Sequence, residues 1–186
     1  MDPTRLNGKK VIGTEGFILG EIEGVDVDSD TWQVSTLYVG LSNEAASGLG
    51  LRKSFFSKST ICLPIQFIKS VGDLISLNEP IRNLEEVATK ECLVKTENLK
   101  GRKVVGAKGY VVGEVESLDV DPSNWQVTDL QVSLSKDAII ELGLNKPLLR
   151  KGEITIPTDI VSSVGNMITL NDDIQDLKAL EKRLEQ

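Results

Sequence analysis

The sequence predicts an all-β protein: two small β-barrels in tandem with short helices, including a C-terminal helix. Three observations carry that expectation. Residues 6–84 and 99–177 align without a gap at a constant offset of 93, with identity at 35 of 79 positions. Within each copy, apolar residues alternate over short stretches broken by Gly, Pro, Asn and Asp, the pattern of strands joined by tight turns. Helical spacing of apolar residues is confined to the end of each copy. The matched positions are mainly glycines, turn formers and apolar strand residues, so what was duplicated is a scaffold. The period is that of a whole domain, well beyond the roughly 20–50 residues of solenoid units.

The expected division is a first barrel over 1–84, a polar linker over 85–98, and a second barrel with its C-terminal helix over 99–186. Apolar residues at Ile18, Ile22, Val25 and Val27 mark a strand over 18–28 whose alternation slips at Gly24. The second copy slips between Val115 and Leu118, around Ser117. A one-residue slip predicts a β-bulge, which bends a strand as a small barrel requires. Asp28-Ser-Asp-Thr is a turn, and the next strand places Leu37, Val39 and Leu41 on one face, with Leu130, Val132 and Leu134 as mates. Residues 43–50 and 136–142 break the alternation and predict one short helical turn each. A strand follows with Ile61, Leu63, Ile65 and Phe67 (Ile154, Ile156 and Ile160 in the second copy). Pro64 and Pro157 within it predict an edge position or a strand break. Val71-Gly-Asp-Leu and Val164-Gly-Asn-Met read as two-residue hairpin turns of type II′. The last strands hold Ile75 and Leu77, and Ile168 and Leu170.

Beyond each barrel the period turns helical. Asn78 and Asn171 read as N-caps followed by acidic first turns. The first helix is brief, running through Leu84 and Val87. The second carries Ile174, Leu177, Leu180 and Leu184 at spacings of three and four, an amphipathic stripe that either packs on its own barrel or pairs with a second molecule.

The net charge of −7 is shared by both halves, with 9 basic and 13 acidic residues in 1–93 and 12 and 15 in 94–186. Nucleic-acid binding draws on neutralised phosphates, so no nucleic-acid partner is expected. Hydrophobic content is 40%, with only four Phe, two Trp and two Tyr, so the cores must be built from Val, Ile and Leu. Cys62, in a strand, and Cys92, in the linker, form neither a disulfide framework nor a zinc site and fit a reducing compartment. No apolar run has the length of a membrane span, and the N-terminus lacks the apolar core of a signal peptide. The expected location is cytoplasmic.

Histidine is absent, which removes the commonest general base and metal ligand. No catalytic residue, cofactor or metal is expected. Asp26-x-Asp28-x-Asp30 imitates the start of a calcium loop, but Thr31 and Leu37 stand where such a loop has its Gly and Glu, so the segment reads as a hydrated turn. Gly8, Gly13, Gly16 and Gly20 form neither a P-loop nor a dinucleotide fingerprint, and turn and strand-crossing roles account for them. Trp32 and Trp125 either wedge one end of a barrel or anchor a partner. Phe55 and Phe56, with Leu148 and Leu149 at the same repeat positions, are adjacent apolar pairs in loops. In extended backbone both members of a pair cannot point inward, so these four, with Leu177, Leu180 and Leu184, are the candidate partner-binding residues.

Leu-x-Gly-Lys-x-Val-x-Gly at 6–13, Gly-x-x-x-Gly-Glu-x-Glu at 16–23, Asp-Val-Asp at 26–28, and Ile-Pro followed by Val-Gly-x-x-Ile-x-Leu at 156–170 together resemble the PRC-barrel family. The resemblance covers both copies, about 160 of the 186 residues. It implies a small β-barrel that docks proteins and has no catalytic residues. A chain of PRC-barrels alone is similar to the archaeal cell-division PRC-barrel proteins of the cell division protein B type. That likeness implies an adaptor in FtsZ-based division, at the division site. It would bind SepF, other PRC-barrel proteins and itself, and would meet the membrane only through a partner. The alternative is a ribosome-maturation factor of the RimM type, which is similar only in its C-terminal domain.

Overall fold

The structure is a computed structural model that describes residues 5–51, 59–86, 99–144 and 152–177. The chain divides into two compact units, Met1–Glu97 with Asp121–Gln126, and Asn98–Val120 with Val127–Gln186.

In the first copy, β1 (Lys10–Ile12), β2 (Ile18–Asp28), β3 (Gln33–Leu41), β4 (Thr60–Pro64), β5 (Ile68–Val71) and β6 (Ile75–Leu77) form a curled sheet. Their order is β5-β6-β1-β2-β3-β4. Neighbours are antiparallel except β1 and β6, which run parallel. The second copy has the same plan with β7 (Lys103–Val105), β8 (Val111–Asp121), β9 (Gln126–Leu134), β10 (Glu153–Pro157), β11 (Val161–Val164) and β12 (Met167–Leu170). There the parallel pair is β12 with β7. A short helix follows the third strand of each copy, α1 (Asn43–Gly48) and α2 (Lys136–Leu142). The fold is thus mostly β with few short helices, as the alternation predicts.

Each concave face is closed by aliphatic side chains. Leu19, Ile22, Leu37, Leu63 and Ile75 fill the first copy, and Val112, Val115, Leu130, Ile156 and Ile168 occupy the matching positions in the second; all are buried. The predicted bulge is present, with the β2–β3 register shifting between Ile22 and Gly24. A second shift, between Val11 and Ile12 where β1 meets β2, corrects one reading. Ile18 does not join the inward stripe: it is 44% exposed, and Leu19 takes the core position. Val111 in the second copy is likewise turned out, with Val112 inside.

Two glycines are required by the crossing of the second and third strands. An added Cβ at Gly20 would stand 2.1 Å from the Gly40 carbonyl oxygen, and one at Gly113 would stand 2.1 Å from that of Ser133.

Pro64 and Pro157 end their strands, and single turns of 3-10 helix follow, Ile65–Phe67 and Thr158–Ile160. This is the strand break that the prolines predict. The type II′ expectation is corrected, because neither Gly72 nor Gly165 has a positive φ. The Gly72 N–H instead donates to the Leu74 carbonyl at 2.9 Å, and the Gly72 carbonyl is held by the ammonium of Lys9 at 2.5 Å. Lys9 is 2% exposed, so its alkyl stem contributes packing and its head clamps the turn. Arg102 donates to the Gly165 carbonyl in the same way in the second copy.

The helical starts also shift. Asn171 donates its backbone N–H to Ile160, while Asp173 does the capping: its carboxylate accepts from the N–H groups of Gln175, at 2.9 Å, and Asp176. In the first copy Asn78 donates its side-chain amide to the Gln66 carbonyl at 2.8 Å. The chain then turns through a 3-10 helix, Ile81–Leu84, without a side-chain cap. Cys62 on β4 is disulfide-bonded, which corrects the expectation drawn from the cysteine count.

Candidate docking surface

Exposed apolar side chains recur at equivalent places in the two copies. The exposed large hydrophobic residues include Ile18 and Val111, Leu74 and Met167, and Phe17 and Ile140. The first two pairs occupy identical repeat positions. Apolar side chains scattered singly on a surface mean little, but recurrence at the same positions of a duplicated scaffold is not scatter.

In the first copy the turn between β1 and β2 carries Phe17, which is 67% exposed. Beside it lies a cleft of about 310 Å³ with an apolar floor of Ala45, Gly48 and Ile81 and a polar rim of Glu15, Glu44 and Arg82. The helix is fixed against this turn by Ser42. Its hydroxyl donates to the Ile18 carbonyl at 3.2 Å and accepts from the Ala45 N–H at 3.1 Å, so one side chain caps α1 and ties it to β2. Glu15 joins the turn to the segment after β6 by accepting the Ile81 N–H at 2.8 Å. Burial raises the Glu15 carboxyl, but hydrogen bonds from its own N–H, the Ile81 N–H and the Thr14 hydroxyl, with the Arg82 charge, bring it below its ordinary value.

The second copy has a cleft of about 360 Å³ at the same place, between Tyr110, Glu141 and Ile174. Ser135 repeats the tie, donating to the Val111 carbonyl at 3.1 Å and accepting from Ala138 at 3.0 Å. The clasp across the cleft uses different chemistry: Lys108 pairs with Asp173, and Gln175 donates to Glu141 at 2.6 Å. Partial burial raises the Tyr110 phenol, and the charges of Asp137 and Glu141 add to that shift. The rim of this cleft carries the charges of Glu141, Asp173 and Lys108.

The Lys108 hydrogen bond, with the N–H groups of Gln175 and Asp176, holds Asp173 at about 2. A carboxylate depressed in the folded state gives stability that is present above about pH 4 and is lost as pH falls towards about 2. Lys108→Met returns Asp173 towards its ordinary value, so fewer protons are taken up on unfolding in that window. The expected result is a shallower loss of the urea midpoint between about pH 4 and about pH 2. An unchanged slope would show that the pair does not act in solution.

The acidic triplet serves its own turn. Asp28 accepts from the N–H groups of Asp30 and Thr31, at 2.9 and 3.0 Å, and Asp26 accepts from the Ser35 hydroxyl. The Thr31 and Asp30 N–H groups lower the Asp28 carboxyl, and the Ser123 hydroxyl and N–H lower that of Asp121. Among the described residues no group of three or more Cys, Asp or Glu side chains is placed to hold a metal ion. Trp32 and Trp125 are half-buried at the ends of these turns, each with φ of 59°.

Of the predicted partner-binding residues, Phe55, Phe56, Leu148, Leu149, Leu180 and Leu184 lie outside the described residues. Leu177 is corrected: it is 0% exposed and belongs to the core of its own barrel, as does its mate Leu84. The cleft residues were missed by sequence reasoning. The signal for them was an aromatic at both 17 and 110, next to an apolar residue out of phase with the strand.

Each of the two curled six-stranded sheets thus carries an apolar cleft in the same place. Residues 94–177 match the family model described as the PRC-barrel domain, and that domain is present in the second half of the chain. Among solved structures, the chain is similar to a protein described as a 16S ribosomal RNA processing protein, RimM, from Pseudomonas aeruginosa. That likeness has a TM-score of 0.30 and 11% identity, and it covers 91% of this chain and 98% of the other. No curated protein matches the chain significantly. Among the described residues no helix is long and apolar enough to cross a membrane.

Proposed function

We propose that this chain is a non-enzymatic adaptor that docks proteins through two like barrels and acts in FtsZ-based cell division by binding SepF. The observation that supports an adaptor is the repetition of an exposed apolar cleft on both copies, beside barrel interiors filled by aliphatic side chains. Two like modules on one chain raise the effective concentration at a multivalent target. The link to SepF rests on the family resemblance of the sequence motifs. Its test is a pull-down of purified SepF by the full chain, with purified small ribosomal subunits as the competing bait. Retention of SepF, and its loss on Phe17→Ser with Tyr110→Ser, is the expected result. Retention of ribosomal subunits in place of SepF would assign the chain to ribosome maturation.

A further inference from the structure

The two clefts stand at the same repeat positions but are not closed alike. In the second copy the Gln175 amide donates to the Glu141 carboxylate at 2.6 Å, so a bridge runs from α2 to the segment after β12. Lys108 pairs with Asp173 and joins the turn after β7 to that same segment. At the offset of 93 the first copy has Gly48 where Glu141 stands, Arg82 for Gln175, Glu15 for Lys108 and Pro80 for Asp173. Glu15 still ties its turn to the segment after β6, through the Ile81 N–H. The other bridge has lost its anchor, since Gly48 has no side chain. Among the described residues no hydrogen bond or ion pair joins α1 to residues 78–84. The exposures follow: Phe17 is 67% exposed, whereas Tyr110 is half-buried. The rim charges of the first cleft are Glu15, Glu44 and Arg82. Arg82 acts on Glu15, which leaves the carboxylate of Glu44, at the start of α1, in surplus.

We propose that the clefts are unequal docking sites, the first copy's open and the second copy's strapped by the Glu141–Gln175 bridge. The open cleft takes an apolar side chain of a protein partner with a Lys or Arg beside it. The apolar group lies on the floor of Ala45, Gly48 and Ile81, and the cation turns towards Glu44 and the ring of Phe17. A ring next to a carboxylate attracts such a cation by its quadrupole and by the opposite charge together. In the second copy the incoming side chain has to displace Gln175 from Glu141. Breaking one exposed hydrogen bond to a carboxylate is a modest cost, so affinity there falls by about tenfold and is not abolished. The inference rests on the reading of the clefts as docking sites and not on the identity of the partner.

The test titrates phenethylammonium, a ring with a cation, into the full isotope-labelled chain and follows amide chemical shifts by NMR. Ile18 and Ile81 report the first cleft, and Tyr110 and Ile174 the second. A probe this small binds in about the millimolar range. The expected wild-type result is a first cleft about tenfold tighter than the second, with phenylacetate, the anionic analogue, weaker at the first. Gly48→Glu restores the bridge to Arg82 and weakens the first cleft by about tenfold; its added Cβ meets nothing within 4 Å. Glu141→Ala removes the strap and strengthens the second cleft by a similar factor. Each change moves the local charge against its expected effect, since an added carboxylate alone would draw the cation in and a lost one would release it. Gly48→Gln, whose amide oxygen can accept from Arg82, gives a loss in the same direction and covers the case in which Gly48→Glu disturbs folding, checked by circular dichroism. Equal affinity of the two clefts in the wild type overturns the inference and leaves the adaptor reading standing. No binding at the first cleft, or variants whose affinities follow charge alone, also overturns it. Binding at the first cleft by a chain that retains no SepF supports it and removes only the division reading.

Discussion

Gly20→Ala is expected to cost the first barrel about 3 kcal/mol or more, and Gly113→Ala the same in the second. The added methyl would lie 2.1 Å from a carbonyl oxygen, 2.9 Å from its carbon and 3.0 Å from the next Cα, all backbone. No rotamer change relieves such a clash, so β2 and β3 must separate where β2 begins to curve. That separation breaks ladder hydrogen bonds beside the shift at Ile22 and Gly24 and exposes Leu19. Small domains hold only about 5–15 kcal/mol in total. The double variant is therefore expected to have lost its cooperative urea transition. A loss below about 1 kcal/mol for either single variant would show that the strands can slide apart without harm. Gly8 is the internal control: its added Cβ meets nothing within 4 Å, though its φ of 80° favours glycine.

Leu177→Ala is expected to lower stability by about 3 kcal/mol, within the range for fully buried leucines, and to leave partner binding at saturating protein unchanged. Leu177 is 0% exposed and its N–H donates to Asp173 at 3.1 Å, so its side chain fixes the first turn after the barrel. Leu84→Ala should behave alike in the first copy. Binding lost in a variant whose urea midpoint is unchanged would return Leu177 to a partner surface.

Repetition made most of the fold legible. Each strand could be read twice, and Gly20 and Gly113 marked their crossing by surviving in both copies. The inward stripe at Leu37, Val39 and Leu41 follows from alternation alone. Two kinds of feature were hidden. The first is a register shift between strands distant in the pairing, such as that between Val11 and Ile12, which turned Ile18 out; alternation within β2 carries no information on β1. The second is a long side chain that replaces local turn chemistry. Lys9 clamps Gly72 from 63 residues away, so Val71-Gly-Asp-Leu looked like a primed turn that its backbone does not adopt. The cleft was hidden for a related reason. It is assembled from the first turn, the helix and the segment past the last strand, and none of the three is apolar enough alone to mark a surface.

The parallel pairing of first and last strands has a mechanical consequence. Val11 and Ile12 pair with Ile75 and Ser76, and Lys103, Val104 and Val105 pair with Met167, Ile168 and Thr169. A pull on the two ends of either barrel draws these strands past each other along their length. Their hydrogen bonds then bear the load together in shear instead of opening one after another, so each barrel resists stretching along the chain more than its modest size would suggest.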